Sequence, residues 1–158
     1  MTRPPVRPAA AAGRILVVED SPSARRLMQD ILLRLGAELP NIRVAGTVVE
    51  ALTLFSQWRP NVAFIDIELH RAPSGSLPGE TAASTEHDPK DGIELAEVLL
   101  ARNPRLRVIM CSASDPSDTR AAGLVAAGRV EFITKPLLAA RVEEFLAKGP
   151  PTPTAPRS

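Results

Sequence analysis

Strand-like and helix-like segments alternate five times along this chain, and that alternation limits the folds open to it. The strand-like segments are "RILVVED", "IRVAGT", "NVAFIDIEL", "LRVIMCSAS" and "VEFITK". In "NVAFIDIEL" the apolar residues Val62, Ala63, Phe64, Ile65 and Ile67 show no polar alternation. Such a run suits a strand covered on both faces, as in a parallel sheet. Strands alternating with helices imply a parallel sheet with helices on both faces. Asp66 is then the anomaly, because a carboxylate at the end of a buried strand is costly unless something meets it.

The helices carry their own punctuation. In "SPSARRLMQDILLRLG", Ser21 suits an N-cap, Pro22 the first helical position and Gly36 the stop. Ala24, Leu27, Met28, Ile31, Leu32 and Leu35 recur at helical spacing and are expected to face inward. Val48, Ala51, Leu52, Phe55 and Trp58 do the same in "VVEALTLFSQWR". Asp91 is expected to cap "DGIELAEVLLARN". "SDTRAAGLVAAG" is a weaker helix, since Gly123 costs about 1 kcal/mol relative to Ala. "PLLAARVEEFLAKG" is the last.

Ten of the sixteen prolines fall before residue 14, between residues 70 and 90, or from Pro150 onward. The expected organisation is a flexible arm at 1–13 and a domain at 14–148 with a long loop insert at about 70–90. A disordered tail at 149–158 completes it. Net charge is +1, which gives no general pull toward nucleic acid or membrane. No apolar run is long enough to span a bilayer. The single cysteine, Cys111, cannot form an internal disulfide; it reads as a small core residue in a reducing cytoplasm.

Parallel strands bring their carboxyl ends to one edge, where ligands bind in open α/β sheets. Glu19 and Asp20 end the first strand, Asp66 the third, Ser112 the fourth and Lys135 the fifth. Three carboxylates brought together repel, and a hard divalent cation such as Mg²⁺ relieves the repulsion. A carboxylate nucleophile, Mg²⁺, a hydroxyl and a lysine make a site for taking up a phosphoryl group.

With these residues in place, the chain resembles a response-regulator receiver domain of two-component signalling, the CheY-like family. The matching pieces are "ILVVEDS", "AFIDIEL", "VIMCSAS" and "FITKP", in the right order over about 115 residues. The resemblance implies a flavodoxin-like doubly wound α/β fold, with five parallel strands in the order 2-1-3-4-5. It implies that Asp66 accepts phosphate from a histidine kinase or a histidine phosphotransfer protein. Glu19 and Asp20, with Asp66 and the backbone carbonyl of Glu68, would hold Mg²⁺. Ser112 and Lys135 would contact the phosphoryl group, and Phe132 matches the aromatic switch position. The Lys135–Pro136 bond is usually cis in this family.

The sequence also departs from the family. The loop from Asp66 to Gly92 is far longer than usual, and Glu68 adds an acid beside the phosphoacceptor. His70 and His87, near Glu86 and Asp88, have no diagnostic metal spacing. The expected function is that of a single-domain response regulator, not an enzyme. "GPPTPTAPRS" is too short for an output domain, so output would pass through a partner protein, a relay or a homodimer, without direct DNA or membrane binding. Two alternatives stand beside it: a receiver-like scaffold that does not switch, and an aspartyl-phosphate phosphatase. The phosphatase family places its nucleophile on the first strand, unlike Asp66. A dinucleotide enzyme is disfavoured because no glycine-rich turn follows the first strand.

Overall fold

The computed structural model describes residues 8–69, 89, 91–113 and 119–148. Five strands form one parallel sheet: β1 (Ile15–Val18), β2 (Ile42–Ala45), β3 (Val62–Asp66), β4 (Arg107–Ser112) and β5 (Val130–Thr134). Their order is β2-β1-β3-β4-β5, as the resemblance implies. Six helices accompany them among the described residues: α1 (Pro8–Ala11), α2 (Pro22–Arg34), α3 (Val48–Trp58), α4 (Gly92–Arg102), α5 (Thr119–Ala126) and α6 (Ala139–Ala147).

Burial follows sheet position. Every residue of β1, β3 and β4 is buried, while the edge strands β2 and β5 expose parts of theirs. Successive side chains point to opposite faces, which divides the core in two. Ile15, Val17, Phe64, Ile109 and Ile133 pack toward α1, α2 and α6. Leu16, Val18, Ile65, Val108 and Met110 pack toward α3, α4 and α5.

Ser21 and Asp91 cap as the sequence suggests, and Thr47 adds a third cap. Ser21 accepts a hydrogen bond from the Ala24 amide at 3.4 Å. Thr47 accepts from Glu50 at 3.1 Å, and Asp91 from Glu94 at 2.9 Å. Leu27 differs from expectation: it is exposed, because the buried stripe of α2 runs through Met28, Ile31 and Leu32, and Leu27 sits about 100° away from Met28. Trp58 is half-buried rather than inward, with the Arg43 guanidinium 5.3 Å from its ring centre.

Two boundaries need correction. Residues 8–13 are not an arm. Residues 8–11 are helical, Ala9 is buried, and the Ala9 amide donates to the Leu35 carbonyl. A small side chain there lets the segment lie close against the end of α2. The last helix begins at Ala139, not Pro136, because Leu138 is extended. The Lys135–Pro136 bond is cis. The expectations for the 70–90 insert and the tail from 149 fall outside the described residues.

Arg107, the first residue of β4, is a buried charge in an apolar strand. Its guanidinium donates to both carboxylate oxygens of Glu131 on β5, at 3.0 and 3.1 Å. It also donates to the carbonyls of Phe145 and Leu146 at the end of α6. One cation thus joins two strands to the negative end of a helix dipole. Removing one partner of a buried pair leaves the other uncompensated. Arg107→Ala should therefore destabilise the fold by about 3 kcal/mol in urea denaturation. A loss below about 0.5 kcal/mol, the range of an ordinary surface substitution, would refute that role.

Candidate functional site

The parallel register delivers the predicted residues to one edge. Asp66 is the last residue of β3, opposite Cys111 on β4, and it is only 4% exposed. Glu19 immediately follows β1, and its amide donates to the Ala45 carbonyl of β2 at 3.0 Å. Asp20 comes next. Carboxylate oxygens of Glu19, Asp20 and Asp66 all lie within 4.8 Å of one another. Ser112 ends β4 and is buried. Lys135 follows β5, and its amide donates to the Ser112 carbonyl at 2.6 Å.

Lys135 is the element that closes the site. Its Nζ lies 2.9 Å from Glu19 Oε2 and 3.3 Å from Asp66 Oδ2. The other carboxylate oxygens are held by backbone amides. Glu68 N–H donates to Asp66 Oδ1 at 3.0 Å, and Ser21 N–H to Glu19 Oε1 at 3.2 Å.

The electrostatics show an excess of negative charge. Burial raises the pKa of Glu19, and the Asp66 charge adds to the effect, against hydrogen bonds from Lys135 and Ser21. For Lys135, burial acts to lower the pKa. The Glu19 hydrogen bond and the charges of Asp66 and Glu19 outweigh it and hold the ammonium above its ordinary value. Both shifts favour taking up positive charge. The donor set is carboxylate oxygen throughout, which fits a hard divalent cation and not a soft one.

Phe132 is half-buried against the core between the sheet and α3–α5. It is the register partner of Met110, and Ser112 lies two residues beyond Met110 on the same face of β4. The hydroxyl and the aromatic therefore address the same layer, whereas Phe64 and Cys111 face the other. His70, His87, Glu86 and Asp88 lie outside the described residues.

Two features were missed or underread in the sequence. Arg25 sits in the first turn of α2 and donates to the carbonyls of Glu19 at 2.8 Å and Asp20 at 3.2 Å. The available signal was a cation at a helix N-terminus, where the macrodipole disfavours it. Gly92 had been read only as the far end of a long loop. A Cβ there would overlap the backbone carbonyl of Asp66, so α4 packs directly onto the Asp66 peptide.

No family model matches the chain. The chemotaxis protein CheY of Bacillus subtilis is 27% identical over 137 residues, which span 87% of this chain and 97% of CheY. Among solved structures, the receiver domain of NtrX from Brucella abortus is 28% identical, with a TM-score of 0.62, covering 85% of this chain and 98% of that one. CheY in the CheX–CheY–BeF3–Mg²⁺ complex of Borrelia burgdorferi shares the fold at 21% identity and a TM-score of 0.65, over 86% of this chain and 87% of that one. The fold is that of a CheY-like receiver domain. The homologues of the chain are CheY proteins and response-regulator receiver domains.

Gly92→Ala should destabilise the protein by about 2 kcal/mol or more, since backbone would have to move on both sides of the clash. Thermal denaturation with no change in midpoint would contradict the close approach. Cys111 is buried beneath the site, and burial pushes its pKa up to about 12. The Lys135 charge opposes this rise. At pH 8 only about one molecule in 10⁴ would carry the thiolate, the reactive form. A thiol-specific disulfide reagent should modify Cys111 only at the rate of unfolding. Rapid modification of the native protein would show that the strand is open.

Proposed function

We propose that this protein accepts a phosphoryl group on Asp66 from a phosphohistidine, on a histidine kinase or a histidine phosphotransfer protein. The reaction is Mg²⁺-dependent, and the product signals by conformational change to a partner protein. The observation that carries the reading is Lys135 held between Glu19 and Asp66 beside a third carboxylate, Asp20.

Glu19, Asp20 and Asp66 would hold the cation, with the Glu68 carbonyl as a further ligand. Bound Mg²⁺ supplies neutralisation of charge on the phosphoryl oxygens. A carboxylate oxygen of Asp66 attacks phosphorus in line. The O–P bond forms as the N–P bond of phosphohistidine breaks, and the electron pair stays with the imidazole nitrogen. The Glu68 amide orients Asp66 through its hydrogen bond to Oδ1. Lys135 exchanges a carboxylate partner for a phosphoryl oxygen, and Ser112 donates its hydroxyl proton to another. Drawing Ser112 toward the phosphoryl group would vacate space on the Phe132 side of the sheet, which gives the aromatic a way to report phosphorylation. The Borrelia relative, in its complex with CheX, BeF3 and Mg²⁺, supports this reading by analogy.

Intact-mass analysis tests the proposal. Incubation with acetyl phosphate and Mg²⁺ should add one phosphoryl group per chain, and chelation of the metal should prevent it. Asp66→Asn keeps the shape but removes the nucleophilic oxygen. It should fold and remain unmodified. Stoichiometric labelling of that variant at another residue would overturn the assignment of Asp66.

A further inference from the structure

We propose that Arg25 is a positioning residue for the acidic pair, aiming the Glu19 carboxylate by fixing the peptide that follows Asp20. The inference rests on the reading of Glu19 and Asp20 as cation ligands.

Arg25 lies in the first turn of α2, with no acid in that turn to pair with it. A cation there opposes the helix dipole and would be expected to point away into solvent. It turns back instead. Its Nη1 donates to the Glu19 carbonyl at 2.8 Å and to the Asp20 carbonyl at 3.2 Å, both charge-assisted contacts.

The consequence follows from peptide planarity. The Asp20 carbonyl and the Ser21 N–H belong to one rigid unit, and in a trans peptide they point in opposite directions. Holding the carbonyl on Arg25 directs the N–H away from it. That N–H donates to Glu19 Oε1 at 3.2 Å, while Glu19 Oε2 meets Lys135. Arg25 thus acts on the carboxylate through a backbone unit and never touches the cation position itself. Without it, the peptide can rotate and the Glu19 side chain loses one of its two anchors.

The neighbouring loop is cut to fit. A Cβ on Gly46 would lie 2.5 Å from Arg25 Nη1. Gly46 therefore leaves space for the guanidinium, and its own amide is held by Glu50 at 3.0 Å. A larger residue at 46 should displace the guanidinium from the two carbonyls without removing its charge.

Electrostatics and positioning predict opposite signs, which makes the test decisive. Removing a cation near three carboxylates should tighten Mg²⁺ binding if Arg25 acts only through its charge. Loss of positioning should weaken it. Mg²⁺ binding to the full chain by calorimetry should show a dissociation constant about tenfold higher in Arg25→Ala, in line with the cost of removing partners that orient metal ligands. Amide exchange gives a second readout. The Ser21 amide should exchange faster in the variant, while the Glu19 amide, bonded to Ala45, should not. A merely destabilised fold would accelerate both.

Equal or tighter Mg²⁺ binding in Arg25→Ala overturns the positioning role alone. If the parent protein takes up no Mg²⁺, the phosphoacceptor reading fails together with it. Should Arg25→Ala not fold, Gly46→Ala decides by the same measurement: weaker Mg²⁺ binding supports the role, and unchanged binding overturns it.

Discussion

A single ammonium group held by two buried carboxylates organises the working end of this protein. Lys135 follows β5 at one edge of the sheet, yet its Nζ meets Asp66 at the end of β3 and Glu19 beyond β1. It therefore reaches past β4 and ties three strands together at their carboxyl ends. Asp66 and Glu19 are each less than a tenth exposed, so their charges cannot rely on water. The ammonium offsets part of their repulsion, and backbone amides from Glu68 and Ser21 satisfy the remaining oxygens. Glu19 and Asp66 share one ammonium, which leaves about one negative charge between them. That imbalance makes the edge one that could hold a metal cation.

The rest of the fold holds this edge still. β1, β3 and β4 are buried along their whole length, with helices on both faces. Gly92 brings α4 against the Asp66 peptide, and Arg25 brings α2 against the Glu19 and Asp20 carbonyls. At the opposite edge, Arg107 joins β4, β5 and the end of α6. The two edges use charge differently. At the strand starts, a buried cation is paired with a carboxylate and helix carbonyls through its two terminal nitrogens. At the strand ends, buried anions are left undermatched. An undermatched buried charge is unfavourable for folding and useful for binding.

Much of this was legible in the chain, for identifiable reasons. Strands buried on both faces must be apolar throughout, so "NVAFIDIEL" announced β3, and Asp66 at the end of its apolar run announced the site. Caps were legible at Ser21 and Asp91 because each acts on an amide three residues away. Leu27 was misread because it is apolar and adjacent to the buried stripe, and only packing decides how wide a stripe is covered. The segment at 8–11 was misread because proline and alanine resemble an arm until α2 and α6 provide a surface for Ala9. Arg25 and Arg107 were missed because their partners are backbone carbonyls, or a side chain on another strand, and neither leaves a local pattern.

The sequence by itself determined the α/β alternation, the parallel sheet and which side chains would stand at its carboxyl edge. Those features follow from local periodicity and from chain direction, which every parallel strand shares. The tertiary structure decided how those side chains meet. Lys135 and Glu19 are 116 residues apart, and no spacing rule predicts that one ammonium bridges Glu19 and Asp66. Nor does the chain indicate that a peptide pinned by Arg25 aims a carboxylate, or that α4 needs Gly92 to pass over Asp66. Such contacts depend on distances across the sheet and between layers, and these exist only once the strands have been ordered and the helices packed.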